Sequence, residues 1–145
     1  MSRAGAVTAA AVPFVWLGMV LAISFLEAPL KFRAPGMTLP LGLGIGRLVF
    51  RALNAAEIAL AALLTAAGVA AGMPTAGWLL LAGLAGLLAA QVLLLRPRLD
   101  RRAVAILAGQ TSPPSRQHLA YIALEGAKVL ALPVLGVVLS TAMLR

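Results

Sequence analysis

The stretch HLAYIALEGAKV places His118, Tyr121, Glu125 and Lys128 three or four positions apart, and all four are residue types able to bind ions or pass protons. At 100° per residue they fall within roughly one third of a helix circumference and form one polar stripe. Arg47, Arg51, Asn54 and Glu57 make a second stripe of the same kind. Glu27, just ahead of Pro29, and Gln91, one turn ahead of Arg96, bring a further carboxylate and amide to the same level.

The surroundings of these residues are almost entirely apolar. The chain has 145 residues, of which 62% are hydrophobic and 11% charged, with a mean hydropathy of +1.02. That leaves too little polar surface to cover a water-soluble globule, so the chain reads as an integral membrane protein. The net charge of +8 would suggest nucleic acid in a soluble protein. Here the basic residues lie mostly between apolar runs, where membrane anchors belong, and a nucleic-acid partner is set aside. There is no cysteine and a single histidine, which removes disulfides, thiolate chemistry and the usual metal and bis-imidazole haem sites. No cofactor is called for.

A span needs about 20 apolar residues. Four segments come near that length, over residues 6–30, 46–71, 77–95 and 118–144. None alternates with period two, so the expectation is a single all-α domain, a four-helix transmembrane bundle. Arg3 ahead of a long apolar stretch imitates a signal peptide, but the stretch is too long and no A-x-A-like cleavage site ends it, so it reads as a retained first span.

The connections differ in charge. GMPTAG between the second and third spans is an uncharged tight turn, whereas residues 31–45 and 96–117 are strongly basic. In the latter, Arg96, Arg98, Arg101 and Arg102 face one acid, Asp100. Leu99, Val104, Ile106 and Leu107 alternate imperfectly with these arginines, and two readings fit: a short helix in the layer of anionic lipid headgroups, or a solvated basic loop. Ser112, Pro113 and Pro114 then break the chain before the fourth span.

The halves show a weak parallelism, Trp16 against Trp78 and ALNAAEIAL against ALEGAKVLA, which sets Asn54 opposite Glu125 and Glu57 opposite Lys128. A duplication would make the two helical hairpins parallel repeats.

Charged groups inside a span cost a few kcal/mol each and normally turn inward and pair. Glu125 and Lys128 are therefore expected to face Arg51 and Glu57, with an i,i+3 contact between themselves also available. Two readings follow: a closed ion-pair network that fixes helix register, or a polar cavity that binds or conducts a small ligand, ion or proton. Catalysis is not expected, because no nucleophilic serine stands beside the lone histidine. The glycines of GLGIG follow no strand and match no phosphate-loop spacing, which leaves loop flexibility or close helix approach. Ala82, Gly86 and Ala90 form a small-xxx-small ridge for packing within the bundle, with a second copy, or with another membrane protein.

The segments WLGMVLAISFLEAPLKFR, RLVFRAL, LRPRLDRRA and RQHLAYIALE, in this order and spacing, resemble the small four-span proteins called transmembrane protein 205-like, a domain of unknown function in bacteria and eukaryotes. The resemblance covers most of the chain. It implies a four-span fold and no defined activity, and carries over Pro97, Arg98 and His118. Where that family leads one to expect an Asn two turns after the histidine, this chain has Glu125. The heavy use of Arg over Lys, with many Ala, Gly and Leu, suits a GC-rich bacterial genome, and with the four spans the expected place is a bacterial inner membrane.

Nine basic residues in or beside the two long connections predict that these face the cytoplasm and that both chain ends lie outside. Reporter fusions after Arg145 and within residues 112–115 should score as external and cytoplasmic, respectively. The opposite pattern inverts the topology.

Overall fold

The computed structural model describes residues 2–111 and 116–143. Within them the chain forms four helices and no strand: α1 Arg3–Lys31, α2 Leu39–Ala71, α3 Thr75–Leu107 and α4 Arg116–Met143. Each is long and apolar enough to cross a membrane. The expected chain break at Ser112 to Pro114 and the expected helix end at Leu144 lie outside the described residues.

Helix starts follow local capping. Ser2 Oγ accepts the Gly5 N–H at 3.2 Å, and Thr38 Oγ1 accepts the Leu41 N–H at 3.4 Å with Pro40 in the first turn. At the end of α2, Gly72 takes a left-handed φ of 72°, the Met73 N–H reaches Gly68 O at 2.8 Å and the Gly72 N–H reaches Val69 O at 3.4 Å. This is a Schellman motif, and it reverses the chain within three residues.

Two helices carry a wide turn. Leu21–Glu27 in α1 and Gln91–Leu95 in α3 are π-helical, and each ends two residues before a proline, Pro29 or Pro97. A proline gives no N–H and crowds the carbonyl four residues back. Widening the turn relieves that conflict, and the i→i+5 bonds are seen as Ala28 N–H to Ile23 O and Arg96 N–H to Gln91 O. The helix therefore continues through both prolines.

This continuation changes the expected boundaries. Residues 39–45 and 96–107, read from the sequence as connection, are helical extensions of α2 and α3. At 33 residues each, α2 and α3 run about 50 Å, well past an apolar core of about 30 Å. The GLGIG glycines are thus helical, and Gly42 serves close approach. A Cβ on Gly42 would overlap the Phe32 ring, and one on Gly46 would stand 3.1 Å from Lys31 Nζ.

Sequential helices are neighbours around the bundle. α1 packs along both α2 and α4 in its Arg3–Val20 part, α3 packs on α4, and the Arg96–Leu107 segment returns to the start of α2. α2 and α4 lie across the diagonal with little backbone approach. Opposite the basic end, the core is wholly apolar, built from Ala9, Val12 and Trp16 of α1, Leu64 of α2, Leu84 of α3, and Leu132, Leu135 and Leu139 of α4.

The ridge on α3 does not pack inside this bundle. Ala82 and Gly86 are exposed, and a Cβ on Gly86 would meet nothing within 4 Å. Close approach occurs instead at Gly5, where a Cβ would stand 3.1 Å from Ala67 O of α2. Gly5→Leu should consequently force α1 off α2 and cost about 1–3 kcal/mol. Gly86→Leu should leave the unfolding of the detergent-solubilised monomer nearly unchanged. Equal melting losses for the two variants would contradict this packing.

Candidate functional site

The middle of the bundle holds a connected set of buried polar side chains drawn from all four helices. Lys128 on α4 is fully buried, and its Nζ lies 2.5 Å from Glu57 Oε1 of α2 and 2.7 Å from Glu125 Oε1, one turn earlier on its own helix. Trp16 of α1 donates its indole N–H to the same Glu57 oxygen at 2.9 Å. Gln91 of α3 donates to Glu125 Oε1 at 2.6 Å, and Ser24 of α1 donates to Glu125 Oε2 at 2.7 Å.

The two wide turns aim these last donors. Ser24 lies inside the π segment of α1 and Gln91 opens that of α3, so each proline-induced wide turn delivers one hydrogen bond to Glu125. Two carboxylates and one ammonium make the set net negative by one charge when all three are ionised. Among the described residues, Glu57 Oε2 and Gln91 Oε1 are buried without a hydrogen-bond partner, as is Asn54 Nδ2. Tyr121 donates to Asn54 Oδ1 at 3.2 Å and meets the Phe50 ring edge-on, with centroids 5.6 Å apart.

Above this set, toward the basic end, the helices enclose a cavity of about 650 Å³. Ser24, Tyr121 and Glu125 belong to both, so the polar set floors the cavity. Its walls are mainly apolar, including Phe25, Phe32, Leu43, Phe50, Ile106 and Ile122, and its cations are Lys31, Arg47, Arg96 and Arg102. Arg47 Nε lies 3.4 Å and Arg96 Nε 3.9 Å from the same oxygen of Asp100, while Arg96 Nη2 donates to the Arg47 carbonyl at 2.9 Å.

The residues expected from the sequence separate into groups. Asn54, Glu57, Gln91, Tyr121, Glu125 and Lys128 are buried together. Arg47 lies at the cavity, and Glu27 stands 3.6 Å from Lys31 beside it. His118 shares the face of Glu125 but lies at the cavity mouth and is exposed.

Arg51 does not join them and is exposed. Six residues at 100° each carry it about 120° around α2 from Glu57, off the inward face, so Lys128 rather than Arg51 balances that carboxylate. The arginines expected at lipid headgroups also divide. Arg98 and Arg101 are exposed, whereas Arg96 and Arg102 line the cavity.

Sequence reasoning missed Trp16, Ser24, Lys31 and Phe50 as parts of the site. For Trp16 a signal existed, since a buried indole N–H needs an acceptor and few are present in such a chain. Ser24 offered none, because its direction depends on the wide turn.

The fold and site define a four-helix bundle of membrane-spanning character with a charged centre and a cavity at one end. Comparison with family models, curated proteins and solved structures finds no match to this chain.

Removing the shared cation should be far worse than removing one anion. Lys128→Met leaves two buried carboxylates without a counter-charge and should cost about 3–5 kcal/mol. Glu57→Gln keeps an acceptor for Trp16 and removes the surplus negative charge, at a cost of about 1 kcal/mol. Thermal unfolding of the purified variants in detergent measures both, and equal losses would show that Lys128 does not hold the set together.

Proposed function

We propose that this protein is a non-catalytic membrane binder that receives a small ligand in the cavity at its basic end. The observation carrying this reading is the cavity itself: about 650 Å³, mostly apolar, with a few convergent polar groups at its floor and cations at its rim. That size and lining match small-molecule sites in general. Residence of the chain in a bacterial inner membrane, with the basic end toward the cytoplasm and both termini outside, belongs to the same proposal and rests on the distribution of arginines. The resemblance to transmembrane protein 205-like proteins supports the four-span reading and adds no activity.

Between binding and conduction, the geometry favours binding. A conducted ion or proton needs polar groups along its route. Beyond Glu57 and Lys128 the core is closed by Leu64, Leu84, Leu132, Leu135 and Leu139, all fully buried. A second reading, an assembly subunit of a larger membrane complex or of a homo-oligomer, is favoured by the outward-facing Ala82 and Gly86.

Ala103 is buried and lines the cavity, so Ala103→Trp should fill it. Organic extracts of purified parent and variant, compared by mass spectrometry, should show a near-stoichiometric small molecule with the parent that the variant lacks. Identical extracts from two folded proteins would remove the binding reading and leave the assembly reading.

A further inference from the structure

A nearly buried cation at the cavity marks what the cavity takes. Lys31 has a side chain only 9% exposed, and its nearest carboxylate, Glu27, is at 3.6 Å, beyond hydrogen-bond reach. Its ammonium also lies over the faces of Phe32 and Phe50, at 5.6 and 5.7 Å from the ring centroids. Gly46 leaves room beside this position, since a Cβ there would stand 3.1 Å from the ammonium. An ammonium carries three donors, and burying them without hydrogen-bond acceptors is costly. The ammonium lines the cavity.

Arg96 sits at the same aromatic ring, its guanidinium 5.8 Å from the Phe50 centroid, and shares one oxygen of Asp100 with Arg47. Two guanidiniums therefore divide one long-range acceptor. The carboxylates that line the cavity do not oppose an incoming anion as free charges. Asp100 is engaged by these arginines, and both oxygens of Glu125 already accept from Ser24, Gln91 and Lys128.

The wall of the cavity is thin between α1 and α4. α1 packs along α4 over Arg3–Val20, but below Val20 the contact thins to a few close approaches and the Ser24–Glu125 hydrogen bond, and the Arg96–Leu107 segment is as lightly packed on α4. Phe25 of α1 and Ile122 of α4 line the cavity and are 43% and 44% exposed. A thinly packed seam edged by apolar side chains suits hydrocarbon.

We propose that the cavity holds the headgroup of an anionic glycerophospholipid, its phosphate between Lys31 and Arg96 and its acyl chains leaving between α1 and α4. The proposal rests on the reading of the cavity as a ligand site and gives that ligand its class. Lys31 supplies point-charge donors and Arg96 a fork suited to phosphate oxygens. Basic recesses between spanning helices are a general way of holding acidic headgroups.

The test uses the full chain in a neutral detergent with equimolar phosphatidylglycerol and phosphatidylcholine, read by native mass spectrometry, with inorganic phosphate in a separate arm. Phosphatidylglycerol should be retained in preference to phosphatidylcholine. Lys31→Gln and Arg96→Gln should each lower its retention about tenfold, the scale of one lost charge-assisted hydrogen bond. Arg98→Gln, an exposed arginine outside the cavity, should change nothing, and phosphate alone should not displace the lipid. Preference surviving in the Lys31→Gln, Arg96→Gln double variant would overturn the proposal, as would displacement by phosphate alone. Equal retention of both lipids, abolished by Ala103→Trp, would overturn the anionic class while keeping the cavity as a ligand site. No lipid or other molecule held by the parent would overturn both.

Discussion

One ammonium between two carboxylates sets the conditions for the rest of the molecule. Lys128 is out of contact with solvent, and so are the Glu57 and Glu125 oxygens it holds. Taking three charges from water into such a place is expensive, and the return comes only if geometry is good and the remaining lone pairs are met. Trp16, Gln91 and Ser24 meet most of them, one or two from each neighbouring helix, and Glu57 Oε2 stays without a hydrogen-bond partner. Because α2 and α4 scarcely approach at the backbone, the Lys128–Glu57 pair and the Tyr121–Asn54 hydrogen bond tie the diagonal of the bundle. The apolar core then packs from this level to the far end, and the cavity occupies the level on the other side, where α4 stands away from its neighbours.

The prolines show how local chemistry serves that arrangement. Pro29 and Pro97 would interrupt a regular helix, and at these positions the backbone widens instead. The widened turns re-aim Ser24 and Gln91 and let α1 and α3 run on into the basic end, where Lys31 and Arg96 reach the cavity. Polar centre and cationic rim are joined by the same two irregularities.

Much of this was legible in the sequence, and the reason is the cost of charge in hydrocarbon. That cost and a 100° period were enough to turn Glu57, Gln91, Glu125 and Lys128 inward and to set the number of helices. Where the reading failed, it failed physically. Arg51 sits on the edge of its stripe, about 120° from Glu57, and a periodicity argument does not resolve an edge. Residues 96–107 are too basic for hydropathy to register as span, although they are helical, because hydropathy measures transfer to lipid and not backbone conformation. The cavity depends on how far α4 splays and on Gly42 and Gly46 seating Phe32 and Lys31, which are tertiary facts with no periodic signature.

The separation of 71 residues between Glu57 and Lys128 also orders events during synthesis. The chain is made from its N-terminus, so α1, α2 and α3 leave the ribosome before α4. Until α4 arrives, Glu57 has the Trp16 indole but no cation, and a three-helix intermediate carries an uncompensated carboxylate among apolar helices. α4 has the converse difficulty, since alone it must carry Glu125 and Lys128 into lipid. Neither half of the charge set is comfortable without the other, so completion of the bundle is coupled to the last helix. A ribosome stalled before Lys128 would leave Glu57 without the cation that balances it.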